Sequence, residues 1–160
     1  MWISQVEKFF SIYRKIVFTF CRICLASMVV VICIVVFGRL VLNRTPGWGE
    51  PGALMFMVWF SLVSASLGIL EDKHLRITLT DLFLPPAICR FFDFLSLIII
   101  FIFSLFMIIY GYQMAELAGL NLITGLGVRS TWLFAAVPVA GVALFMAVIE
   151  KGIVMLWKKK

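Results

Sequence analysis

From Ala53 to Leu70 the chain carries no charged side chain; charges then crowd together at Glu71, Asp72, Lys73, His74 and Arg76. An uncharged apolar run of about 18 residues reads as a membrane-spanning helix, because within hydrocarbon a helix satisfies its own backbone polar groups. The charged cluster belongs in water or among headgroups, so it marks where the crossing ends. A turn, Trp48-Gly49-Glu50-Pro51-Gly52, opens the same segment, with Pro51 suited to the first helical position, where a missing N–H costs nothing. One crossing and both its limits are thereby placed.

Composition agrees with a chain built entirely around such segments. With 64% hydrophobic and 14% charged residues in 160, too few polar side chains exist to coat a soluble core. A single integral membrane domain is expected over 1–160. The net charge of +6 does not point to nucleic acid, since the cations flank apolar runs and report instead how the chain sits in the bilayer.

The expected fold is all-α, with four transmembrane helices over about 16–42, 51–70, 86–117 and 131–157. Ile3, Val6, Phe10 and Tyr13 recur at helical spacing among Glu7, Lys8, Arg14 and Lys15. That pattern predicts an amphipathic interfacial helix over 1–15, with a solvated lead-in as the other reading. Arg22 and Arg39 bracket an uncharged run in the first span, and their apolar stems let them reach opposite interfaces. The run is too long for a signal peptide, and no A-x-A site follows it. Asn43 to Glu50 and Gly119 to Ser130 read as turn-rich loops. Ile77 to Leu84 reads as a short interfacial element ended by Pro85-Pro86. The third helix, at roughly 47 Å against roughly 30 Å of hydrocarbon, must tilt or protrude. Pro138 predicts a kink in the fourth span.

Cations fix the expected orientation. Lys8, Arg14, Lys15, Arg22, Lys73, Arg76, Arg90, Lys151, Lys158, Lys159 and Lys160 fall on one side, and Arg39, Arg44 and Arg129 on the other. By the positive-inside rule both termini are expected in the cytoplasm. None of the four spans holds Asp, Glu, Lys, Arg or His near its middle. Ions and protons cross membranes on such groups or on the unwound backbone of paired broken helices, so this chain is expected not to conduct.

Other features have plainer readings. Cys21 and Cys24 form a C-x-x-C, but they sit in an apolar helix and the chain's one histidine is His74, so small apolar filler fits better than a metal or redox site. His74 itself reads as an interfacial side chain. Ser61, Ser64, Ala65 and Gly68 form small-xxx-small pairs, and Ala136, Ala140, Ala143 and Ala147 a second such seam. Internal packing and contact with a partner subunit are both open for each.

Trp48-x-Glu50, followed eight residues later by Val58-Trp59, and then His74-Leu75-x-Ile77, resembles the pattern of the small membrane subunit of tripartite ATP-independent periplasmic (TRAP) transporters. The four spans, their orientation and the Trp132 to Pro138 segment are similar too. The sequence departs from that pattern at Pro51, Leu54, Thr78 and Arg129, where the family often has an acid, an arginine, an acid and a proline. The resemblance implies a three-part uptake system. A periplasmic binding protein captures an organic acid, and a large permease subunit carries it inward with sodium. The small subunit would pair with the large one as a scaffold and touch the binding protein transiently. Carboxylates such as dicarboxylates, keto acids and sialic acids fit, with a sialic acid taken first.

On this reading Trp48, Glu50, Trp59, Ser61, Ser64, Ala65, Gly68, His74, Arg76, Ala140 and Ala143 serve a partner interface or the structure. Arg22, Arg39, Trp132, Trp157 and Lys158 anchor the chain in the lipid bilayer. No catalytic, metal-binding or substrate-binding residue and no cofactor is assigned. A quinone-dependent disulfide oxidoreductase would need cysteine pairs in both outward loops, which have none, and a small drug exporter an acid in the first span. A four-helix membrane enzyme of the glutathione-transferase type is the remaining alternative, with Arg76 and Arg90 as its glutathione-holding cations.

Overall fold

The computed structural model describes residues 2–70 and 86–157. Its elements are α1 (Trp2–Leu40), α2 (Gly49–Leu70), α3 (Pro86–Leu117), a 3-10 turn over Ala118–Leu120, α4 (Thr131–Phe134) and α5 (Ala136–Trp157). Four stretches are long and apolar enough to cross a membrane: Lys8–Leu40, Gly49–Leu70, Phe94–Leu120 and Thr131–Ile153. His74, Arg76, Lys158 and the interfacial element expected over 77–84 lie outside the described residues.

The interfacial helix expected over 1–15 is not a separate element. Helix α1 continues unbroken for 39 residues, because no glycine, proline or capping residue interrupts it between Tyr13 and Val17. It stops at Leu40, where Leu42 and Arg44 both donate backbone N–H groups to the Gly38 carbonyl, at 3.2 and 3.1 Å. Asn43 takes φ 49°, the left-handed position that ends helices and that asparagine tolerates. Helix α2 starts at Gly49, two residues before Pro51, with the Gly49 N–H on Pro46 O at 3.0 Å.

The fourth span is interrupted at the single residue Ala135, which keeps helical angles (φ −60°, ψ −19°) and passes the chain on through Ala135 N–H to Thr131 O at 2.8 Å and Val139 N–H to Ala135 O at 3.3 Å. Pro138 has no N–H for the Phe134 carbonyl four residues back, and its ring crowds that carbonyl. Helix α4 accordingly ends at Phe134, and α5 begins at Ala136.

Helix α1 packs along α2, α2 along α5, and α5 along α3. In the crossing stretches, 39% of residues are buried in the last span, against 11%, 11% and 17% in the first three, so α5 is the inner helix. The core joins Val17 and Cys21 of α1, Val63 of α2, Met107 of α3, and Ala140 and Leu144 of α5. Close backbone approach makes this packing possible. A side chain at Gly111 would meet Val137 Cγ1 at 2.9 Å and Pro138 Cδ at 3.0 Å, and one at Gly141 would meet the Ile108 backbone nitrogen at 3.1 Å. In lipid such contact, not exclusion from water, drives helices together.

The two described loops between spans, 41–48 and 118–130, share one end of the bundle. Ile123 N–H to Val128 O (2.8 Å) and Ser130 N–H to Asn121 O (2.9 Å) close a tight turn, in which Gly125 takes φ 93°. Gly125 lies against the Gly47 carbonyl of the other loop. Toward the opposite end, Tyr13 and Arg14 of α1 reach Ala143 and Glu150 of α5.

Candidate functional site

Two faces of the bundle hold the residues singled out by the sequence, and the structure separates them. On α5, Ala136, Ala140 and Ala147 are wholly buried and Ala143 nearly so. That seam packs inside the bundle of this subunit. On α2 the buried residues are Gly49, Gly52, Val63 and Ser66. Leu54, Met57, Ser61, Ala65 and Gly68 point outward, and a side chain added at Gly68 would meet nothing within 4 Å. Their spacing of three and four residues makes one continuous face. Ser61 and Ser64 donate their hydroxyls back to Val58 O and Ser61 O, each at 3.1 Å, so they present apolar edges outward.

The aromatic residues take two different roles. Trp59 is half-buried: its Nε1 donates to Trp132 O at 3.0 Å and its ring meets Phe20 edge-on, tying α2 to α4 and α1. Trp48 and Trp132 are outward at the end that carries both loops, as is Glu50 in the first turn of α2. Glu50 there complements the positive end of the helix. Arg39 is exposed near that same end. Arg22 turns back toward the other end, its guanidinium 4.2 Å from the centroid of the Phe18 ring. Trp157 is the last residue of α5. Cys21 and Cys24 are buried free thiols, Cys21 within the core.

The most connected polar cluster joins residues that the sequence reading left apart. Arg14 donates to Glu150 Oε1 from Nε at 2.9 Å and again from Nη2. The Glu150 side chain is 5% exposed, the Arg14 side chain 52%. One helical position earlier, the Tyr13 hydroxyl donates to Ala143 O at 2.8 Å. Lys151 donates from Nζ to Ile69 O at 3.2 Å, a cation on the carbonyl end of α2 where the helix dipole favours it. Three helix ends are stitched together in this way. Glu150 stood in the sequence only as the marker of a span's end; a partner 136 residues away leaves no local signal. Among the described residues no group of three or more His, Cys, Asp or Glu is placed to hold a metal ion.

The family described as tripartite ATP-independent periplasmic transporters, DctQ component, matches residues 28–158. The chain belongs to this family. It is a TRAP transporter small permease subunit and a multi-pass membrane protein, not an enzyme. Membership sets aside the glutathione-transferase alternative. Among curated proteins the chain is similar to the "Sialic acid TRAP transporter small permease protein SiaQ" of Vibrio cholerae serotype O1, with 29% identity over 128 residues, covering 79% of this chain and 73% of the relative. The matched span contains the whole outward face of α2, the interrupted fourth span and Glu150; it leaves out Tyr13, Arg14 and Arg22. TRAP small subunits generally work with a large permease subunit and a binding protein.

Proposed function

We propose that this small subunit is a non-conducting scaffold, paired with a large permease subunit in the bacterial inner membrane. Both termini lie in the cytoplasm, and the pair supports sodium-driven uptake of an organic acid delivered by a periplasmic binding protein. The outward small face of α2 carries this reading. The chain closes its own bundle around the alanine seam of α5, while Ser61, Ala65 and Gly68 remain open on the surface. Small residues let a second helix approach closely enough for packing to hold it in lipid. No span offers Asp, Glu, Lys, Arg or His at mid-membrane, so the coupling-ion and substrate sites belong to the large subunit. The joined loops, with Trp48 and Trp132 outward, face the periplasm and the binding protein. The name of the Vibrio cholerae relative makes a sialic acid the first substrate to try.

The test is assembly. Gly68→Leu and Ala65→Leu should leave the small subunit at normal abundance in the membrane and reduce the large subunit recovered with it several-fold. Full recovery with both substitutions together would place the interface elsewhere.

A further inference from the structure

We propose that a groove between α1 and the end of α2 binds an anionic phospholipid through its phosphate. The groove has a volume of about 420 Å³ and is lined by Arg14, Lys15, Phe18, Thr19, Arg22, Leu67 and Leu70. Three of these seven residues are cations and none is an acid. Among the described residues Arg14 is ion-paired, with Glu150, while no ion pair is formed by Lys15 or Arg22, which bring two further charges to the same apolar helix. Cations held at membrane depth need a counter-charge or a route to the interface. The groove supplies the setting for a counter-charge.

Geometry gives the cations different depths. Arg14, Phe18 and Arg22 recur at four-residue steps on one face of α1, so Arg22 lies roughly 12 Å further along the helix than Arg14. Side chains on a helix lean toward its N-terminus, and the Arg22 guanidinium does so, resting over Phe18. Arg14, Lys15 and Arg22 all line the groove. Arg14 is held in place by the buried Glu150, which takes two N–H groups onto one oxygen. Arginine has five donors, so three remain for a phosphate. The Thr19 hydroxyl adds a further donor at that level. Phe18, Leu67 and Leu70 form apolar walls that a free phosphate would leave unused and an acyl chain would cover. The groove opens on the candidate crossing Lys8–Leu40, where lipid is the solvent. Charge and wall chemistry together select a phospholipid with net negative charge, such as phosphatidylglycerol, over a zwitterionic one.

Native mass spectrometry of the full chain released from vesicles of equal phosphatidylglycerol and phosphatidylethanolamine tests this. Phosphatidylglycerol should be retained preferentially. Lys15→Gln combined with Arg22→Gln should weaken that retention by about tenfold or more, and Arg39→Gln, at the other end, should leave it unchanged. Inorganic phosphate at millimolar concentration should not displace the lipid; displacement would make the ligand a free anion and overturn the lipid assignment. Equal retention of the two lipids, or full retention in the double variant, would also overturn it. If the double variant fails to fold, a photoactivatable residue in place of Thr19 keeps the test open, since it should cross-link phosphatidylglycerol in preference to phosphatidylethanolamine. Cross-linking to the large subunit instead, in the assembled complex, would assign the groove to the partner and not to lipid.

Discussion

A single carboxylate decides how the N-terminal end of the bundle is held. Glu150 is 5% exposed and draws both of its hydrogen bonds from Arg14, while its second oxygen has no hydrogen-bond partner among the described residues. Removing one member of such a pair leaves a charge without compensation in a place that solvates it poorly. Arg14→Gln should destabilise the subunit by about 2 kcal/mol, less than a fully buried pair would lose because Arg14 is half in solvent. Glu150→Gln in the same chain should recover most of that loss. The double-mutant cycle is read by thermal unfolding in detergent; additive single effects would show that the pair does not interact. None of this was legible in the sequence. Arg14 looked like one cation of an amphipathic face and Glu150 like an end marker, because a contact between α1 and α5 carries no periodicity. Arg22 was more readable, since a lone cation inside an apolar run has to lean toward an interface.

At the scale of the element, the spans were legible because uncharged runs of such length admit few alternatives. The ends were less so. Helix α1 absorbs the stretch that hydrophobic periodicity set apart as an interfacial helix, since an amphipathic pattern fixes a face and not a break. Pro138 predicted a kink, and the helix gives way from α4 to α5 across the single residue Ala135. The two small-residue seams looked alike in sequence, and only packing distinguishes them: the α5 seam is inside and the α2 seam outside. Ala140→Leu and Gly111→Leu should therefore lower the abundance of the small subunit itself, each costing about 1–3 kcal/mol through overpacking. At Gly111 a Cβ alone would already press on Val137 and Pro138 at about the closest tolerable distance. Normal abundance and normal unfolding of both variants would contradict this packing.

Across the whole molecule the architecture places both loops at one end and both chain ends at the other, joined through Arg14, Glu150, Lys151 and the carbonyl of Ile69. Eleven of the fourteen Lys and Arg residues were assigned from sequence to the chain-end side. A reporter active only in the periplasm should give signal when fused after Arg44 or Thr124 and none after Arg76 or Lys160. Signal at Lys160 would require an odd number of crossings. The outward faces of α1 and α3, rich in phenylalanine, isoleucine and leucine, suit lipid or a larger neighbour. Of the four spans, the last is the most enclosed by the described residues. The most direct measurement is uptake of a labelled sialic acid into liposomes under an inward sodium gradient, with the periplasmic binding protein present. The small subunit alone should give no uptake above empty liposomes, and the small and large subunits together should give sodium-dependent uptake. Sodium-dependent uptake by the small subunit alone would contradict the account.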